Sequence, residues 1–339
     1  MTEKHYGGTS SQDYKEKDFS VKSKSFKKKE KTINKSSDLD DSEEISKEDL
    51  EILKKVGSIT AETVKYAKSF IKSEMPLLEI AEKIEAKIQE LGAKPAFPVN
   101  LSINEIAAHS TPSFNSTDKA HGLLKVDLGC HISGLAADTA FSLDLENSEK
   151  NKKLIEAAES ALNSALKIIK SSVSLGEIGK EIESTITSFG FQPIHNLSGH
   201  SISPWNLHSG ITVPNYNTEQ LQLLTPGLYA IEPFATSGEG AVRDGKLSGI
   251  YHLEKPGNVR DSFARQVLEF IEEEYQTLPF ASRWIHKKFG SRGLLALRQI
   301  ESAGLLHHYP QLIERSGKKV SQAEHTVIIT RGKAIITTL

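Results

Sequence analysis

The chain has 339 residues, with 42 Lys and Arg against 44 Asp and Glu, a net charge of −2 with His neutral. That balance argues against a whole-protein polyanion binder, and 37 % hydrophobic with 25 % charged residues describes a globular protein able to bury a sizeable core. One cysteine, Cys130, excludes an internal disulfide and any thiolate-rich zinc site, leaving His and carboxylates as metal ligands.

Residues 1–45 differ in kind from the rest. Met1 to Lys35 carries ten lysines against five acids, and Asp38 to Glu51 carries eight acids against Lys47. Segregated charge with little apolar content cannot offset the entropy of ordering, so a disordered charged tail is expected, with a weak RNA or ribosome contact through its lysines. The opening M-T-E-K-H-Y-G-G-T-S has no apolar signal core, and no run approaches the roughly 20 apolar residues of a membrane span. A cytoplasmic protein with no membrane contact is the expectation.

The folded catalytic domain is expected over residues 46–339. Ser46 followed by an acid three residues on predicts a capped helix, with Leu53, Val56, Ile59, Val64 and Phe70 at helical spacing. A second helix is predicted over 77–91, with Ile80, Ile84, Ile88 and Leu91 on one stripe and Gly92 closing it. Strands are predicted over 123–128, 136–143, 229–233, 324–329 and 334–338, and helices over 148–169 and 175–189. Helices and antiparallel hairpins sharing one core make an α/β (α+β) layer architecture. Residues 258–316 carry helical patterns and no strand signal, so a helical insertion is expected there.

The most informative residues are acids inside apolar strands. Asp127 and Asp138 flank the turn G-C-H-I-S-G. A turn centred between Ile132 and Ser133 would set them directly opposite on one face, roughly 4.5–5.5 Å apart at Cβ, where they repel unless a cation sits between them. Glu232 in Y-A-I-E-P-F and Glu324 in Q-A-E-H-T-V-I-I repeat the pattern, each an expensive charge if unpaired. Four carboxylates balance two divalent cations, and oxygen-rich ligation favours Mn, Fe or Co, although affinity alone would favour Zn or Cu.

Of twelve histidines, His5 falls in the tail, and His121, His131, His252, His286, His307 and His308 have polar or loop neighbours and read as surface residues. His325 follows Glu324 and must point to the opposite face of a strand. His109, His200 and His208 are the candidates, with His195 as an outsider.

Six segments together carry a resemblance: N-E-I-A-A-H-S-T-P ending at Pro112, K-V-D-L-G-C-H-I-S-G-L-A-A-D around Asp127 and Asp138, N-L-S-G-H ending at His200, L-H-S-G around His208, A-I-E-P-F-A-T around Glu232 and Q-A-E-H-T-V-I around Glu324. From about residue 47 onward the chain resembles the type 2 methionine aminopeptidases of the pita-bread metallopeptidase superfamily, and the block after Glu232 resembles the type 2 helical insertion. The resemblance implies a pita-bread fold, an antiparallel sheet covered by helices. It implies Asp138 and Glu324 as bridging ligands, Asp127 as a bidentate ligand, and His200 with Glu232 completing a site for two divalent ions (Co, Mn, Fe or Zn). A metal-bridged hydroxide would then remove the initiator methionine from nascent chains with a small second residue. Glu232 would also handle protons, His208 would contact the scissile peptide, and His109 would steady charge near the substrate. Phe97, Leu207 and Phe234 would line the methionine pocket, and a monomer is expected by the same analogy.

Two relatives with this fold compete. A prolidase or aminopeptidase P shares the ligand scheme but cleaves beside proline. Proliferation-associated relatives lack the full metal set and act through RNA and partner contacts, whereas all five ligands are present here. A phosphate loop at S-G-E-G-A-V-R-D-G lacks the required Gly-Lys-Ser/Thr.

Overall fold

The computed structural model describes residues 45–339 apart from Ser171 and Gly332, so the expected tail lies outside the described residues. The chain opens with α1 (Lys47–Phe70), whose N-cap Ser46 accepts the Asp49 amide at 3.0 Å, and α2 (Leu77–Glu90). Short strands β1 (Lys94–Pro95), β2 (Asn100–Ile103) and β3 (Ile106–Ala108) precede a long hairpin, β4 (Leu123–Ile132) and β5 (Leu135–Asp144). Helices α3 (Glu149–Ile168) and α4 (Leu175–Ser188) follow, then β6 (Gln192–Pro193), β7 (Ser198–Ile202), β8 (Thr212–Pro214), β9 (Gly227–Ile231) and β10 (Phe234–Thr236). The 12-residue β11 (Val242–Leu253) leads into α5 (Ser262–Glu274), β12 (Phe280–Ala281) and α6 (Ser282–Ser302), and the chain returns as β13 (Leu306–Glu314). Strands β14 (Val320–Gln322), β15 (Glu324–Thr330) and β16 (Lys333–Ile336) end it.

The principal sheet is antiparallel, with path β1-β4-β5-β15-β9-β7-β8, β2 pairing β4 and β16 pairing β15. Strand side chains alternate between faces. On β4 and β5, Val126, Leu128, Ala137 and Phe141 pack into one apolar cluster with Ile80, Ile84 and Ile88 of α2. On β9 and β15, Tyr229, Ile231, Val327 and Ile329 pack with residues of α3 and α4 such as Leu162 and Ile182. The helices therefore cover the face that excludes Asp127 and Asp138. Among the described residues, no helix is long and apolar enough to cross a membrane.

Two sequence expectations change. The β4–β5 turn is Ser133–Gly134, with φ of 52° and 86°, so Ile132 pairs with Leu135. This positive-φ pair matches the twist of a two-residue hairpin, and glycine takes the second position without strain. Asp127 therefore faces Ala140 and Asp138 faces Gly129, so the two acids are diagonal rather than directly opposite, still on one face. The block 258–316 is not purely helical: β13 lies inside it and pairs with β11, which the sequence reading missed. Both strands belong to a separate four-stranded sheet, β12-β11-β13-β3, against which α5 and α6 build their own cluster around Val267, Ile271, Leu297 and Ile300. The strand signal is blurred by His307, His308 and Pro310 and by irregular register with β11.

A buried ion pair ties this lobe to the main body. The Arg283 guanidinium of α6 donates to the Glu85 carboxylate of α2, and Trp284 Nε1 donates to the other Glu85 oxygen at 2.8 Å. Arg283 and Glu85 are 4 % and 8 % exposed, and burial raises the Glu85 pKa against the pull of Arg283. Removing one member of such a pair strands the other charge. Arg283→Met should lower stability in urea by about 3–5 kcal/mol, whereas Lys94→Met, which removes the exposed Lys94–Glu274 pair at 2.7 Å, should change it by less than about 1 kcal/mol.

Candidate active site

The uncovered face of the principal sheet gathers the predicted ligands in two rows. Asp127 on β4 pairs with Ala140, which pairs with Glu324 on β15. Glu232 continues that row, because it follows Ile231, the partner of His325. In the next row, Asp138 meets Thr326, whose hydroxyl accepts the Asp138 amide and donates to the Asp138 carbonyl, both at 2.7 Å. Thr326 pairs with Ala230, and Ala230 pairs with His200. Gly199 permits this approach, since a Cβ there would lie 2.3 Å from the Ala230 carbonyl oxygen.

One ligand atom each from Asp138, His200 and Glu324 lies within 4.8 Å of the others. His200 Nε2 is 3.9 Å from Asp138 Oδ2 and 3.5 Å from Glu232 Oε1. Burial, then Asp127, holds the Asp138 pKa well above the usual carboxylate range. Burial followed by neighbouring acids does the same for Glu232 and Glu324, and burial raises Asp127 to about 7. Burial and then His208 lower His200 to about 3, so its ring is neutral.

Oδ1 of Asp127, Oδ1 of Asp138, Nδ1 of His200 and Oε1 of Glu324 are buried without hydrogen-bond partners. Buried polar atoms are normally satisfied. No lysine or arginine is among the side chains lining the cavity above them. Lys125, two residues before Asp127, donates instead to the carbonyls of Asn104 and Val320, each at 2.9 Å, and burial lowers its pKa to about 7. A neutral imidazole, four carboxylates and unpaired acceptors fit divalent cations bound mainly through oxygen.

The cavity has a volume of about 210 Å³ and is lined by every predicted substrate residue: His109, His208, Phe97, Leu207 and Phe234. The His208 ring lies 4.3 Å from that of His200, centroid to centroid, and burial lowers its pKa. His109 follows β3 with φ of 57°, a left-handed backbone that non-glycine residues rarely adopt, and such strain concentrates at functional positions. Burial and His208 bring its pKa to about 4.

Other histidines differ from the sequence reading. His195 does not line the cavity; its Nδ1 meets the Gly240 carbonyl at 3.0 Å. His325 turns away as expected, toward the Thr338 hydroxyl at 2.8 Å. His131 is buried, and His252 and His308 are half-buried on β11 and β13 rather than surface residues.

Sequence reasoning missed Ile250, Pro279 and Tyr309, which bring the second lobe into the cavity wall; the Tyr309 ring packs edge-on to His109 at 5.1 Å. Burial along β13 does not alternate, so no local pattern marks Tyr309. Gln322 was also missed, although it opens Q-A-E-H. Its Nε2 lies 3.5, 3.4 and 3.5 Å from Asp127, Glu232 and Glu324 oxygens.

An antiparallel sheet with a carboxylate-rich face at the floor of a cavity is the setting of a metallopeptidase site, and residues 51–331 match metallopeptidase family M24, to which the chain belongs. The methionine aminopeptidase of Methanocaldococcus jannaschii is 44 % identical over 285 residues, 83 % of this chain and 96 % of that one. Its counterpart in Thermococcus onnurineus is 45 % identical over 293 residues, 85 % and 99 % of the two chains. Among solved structures, methionine aminopeptidase from Thermotoga maritima shares the fold with a TM-score of 0.63 at 22 % identity, covering 86 % of this chain and 97 % of that one. A thermophilic Arx1 matches at a TM-score of 0.74 and 13 % identity, over 86 % and 91 %.

The raised carboxylate pKa values set a sign for stability. Native-state protons on these acids favour folding at low pH, and that contribution is lost as pH rises through about 7, the folded value of Asp127. Metal-depleted protein should melt at progressively lower temperature between pH 5 and 8, and added Mn²⁺ or Co²⁺ should restore the melting temperature most at the high end. Calorimetry with and without chelator checks both.

Proposed function

We infer that this chain is a type 2 methionine aminopeptidase, which removes the N-terminal methionine of polypeptides whose second residue is small. The observation that carries this reading is the cavity standing directly on the carboxylate face, with Phe97, Leu207 and Phe234 among its walls. The 37–45 % identity to curated methionine aminopeptidases supports it. The two-helix lobe between β11 and β13 supports the type 2 assignment, together with the resemblance of that block to the type 2 insertion.

In this reading Asp127, Asp138, His200, Glu232 and Glu324 hold two divalent ions drawn from Co, Mn, Fe and Zn. When bound, the ions acidify water and polarise the carbonyl of the first peptide bond. Glu232, at the edge of the ligand set, passes a proton toward the departing amine. His208 lies against the scissile peptide. His109, neutral at physiological pH, donates a hydrogen bond to the oxygen that gains charge. Phe97, Leu207 and Phe234, with Ile250, Pro279 and Tyr309 opposite, enclose a space suited to one unbranched, polarisable side chain.

The chemistry separates this reading from a prolidase-like one. The protein should cleave Met-Ala-Ser and leave Gly-Pro peptides intact; the reverse preference would replace it. His200→Ala and Glu232→Gln should lose both bound metal and turnover. His109→Ala and His208→Ala should keep metal and lose roughly 10²- to 10⁴-fold in turnover. Metal analysis beside peptide assays checks the division.

The lysines of residues 1–35, outside the described residues, are proposed to make a weak electrostatic contact with RNA or a ribosome. Deleting residues 1–40 should leave peptide turnover unchanged while lowering salt-sensitive co-sedimentation with ribosomes.

A further inference from the structure

A second donor set stands at the mouth of the cavity. Strands β11 and β13 pair His252 with His307, and the Glu254 amide extends the ladder to the Leu305 carbonyl at 2.9 Å. Alternate residues share a face. Ile250, His252 and Glu254 therefore project to one side, with His307 and Tyr309 beside them. Ile250 and Tyr309 line the cavity, and the other three lie outside its lining, farther along the same face.

His252 Nε2 lies 3.4 Å from Glu254 Oε2. That separation is close to the ~3.3 Å edge of a tetrahedron built on metal bonds of about 2.0–2.1 Å. The His307 ring lies across the ladder, 5.1 Å from the His252 ring by centroids, and is exposed; the site requires it to turn its nitrogen toward the His252–Glu254 pair. His252 Nδ1 is buried without a hydrogen-bond partner. Burial and then His307 hold the His252 pKa at about 4, so the ring is neutral and able to ligate.

We propose that His252, Glu254 and His307 form a further divalent-metal site at the cavity mouth, separate from the carboxylate centre and suited to Zn²⁺. Two residues at alternate positions on one strand and a third across the ladder make a three-point donor set with an open fourth position. Two imidazoles and one carboxylate favour Zn²⁺ over Mn²⁺, the opposite bias to the oxygen-rich centre. Tyr309 packs against His252 at 5.2 Å, His307 at 4.7 Å and His109 at 5.1 Å. An ion here adds two positive charges next to Tyr309, the cavity-lining ring that also packs against His109. Its occupancy lowers turnover.

The test is zinc uptake by equilibrium dialysis of the metal-loaded protein, alongside His307→Ala and Glu254→Gln, both at solvent-exposed side chains. Wild type should bind one more equivalent than either variant. Turnover without added zinc should be equal in all three, and the zinc concentration giving half-inhibition should rise at least about tenfold in each variant. Equal uptake by all three proteins would overturn the site. A difference in uptake with identical inhibition curves would overturn its effect on turnover. Because the uptake measurement needs no peptidase assay, its failure is distinct from failure of the aminopeptidase reading.

Discussion

Four carboxylates crowd one buried face of a sheet, and no lysine or arginine is among the side chains that line the cavity above them. Everything around them keeps them there despite their repulsion. Helices seal the opposite face, so the strands cannot rotate to expose the acids without emptying two apolar clusters. The Thr326 hydroxyl clamps the backbone of Asp138 from the neighbouring strand through two bonds of 2.7 Å. The Gln322 amide stands near three carboxylate oxygens as a neutral donor. The apolar core on one side thus supplies the rigidity that the polar side uses.

Much of this frame was legible because its signals are local. Ser46 with Asp49, the isoleucine stripe of α2 and the apolar flanks of Asp127 and Asp138 each report on neighbours a few residues away. The five candidate ligands stood out because a charge inside an apolar strand contradicts its surroundings, and the motif resemblance suggested the roles proposed for them. What the residues alone could not reveal is long-range. The turn position of the β4–β5 hairpin depends on two residues adopting positive φ, and only Gly134 advertises it. Tyr309 reaches the cavity by pairing over some sixty residues with β11, a separation at which pattern carries no information. Histidines that looked solvated in sequence are partly or wholly covered by distant residues, His131 beside Trp205 and His252 beside His307 and Tyr309.

The cavity has walls of two origins. Its floor and one side come from the principal sheet, where β4, β5, β15, β9 and β7 each have neighbours on both edges. The other side comes from β11, β13 and the Leu278–Pro279 segment of the lobe, joined to the body through β3 and the Arg283–Glu85 pair. The candidate ligands therefore sit on the principal sheet, while Ile250 and Tyr309 of the cavity wall belong to a separately packed sheet. Changes in the second can retune what the pocket accepts while the ligand rows stay fixed.

The Ser133–Gly134 turn carries a further consequence. A strand alternates with a period of two, so the number of residues in this turn sets a parity for everything after it. One residue added or removed there would send Asp138 toward Ile84 and Phe141 toward the cavity, exchanging an acid for a ring on each face. Indels at that tip are thus forbidden by arithmetic rather than by local strain, and a two-residue change, which preserves parity, is the smallest step open to divergence. In a lineage of such proteins, this short loop should hold its length while longer connections drift.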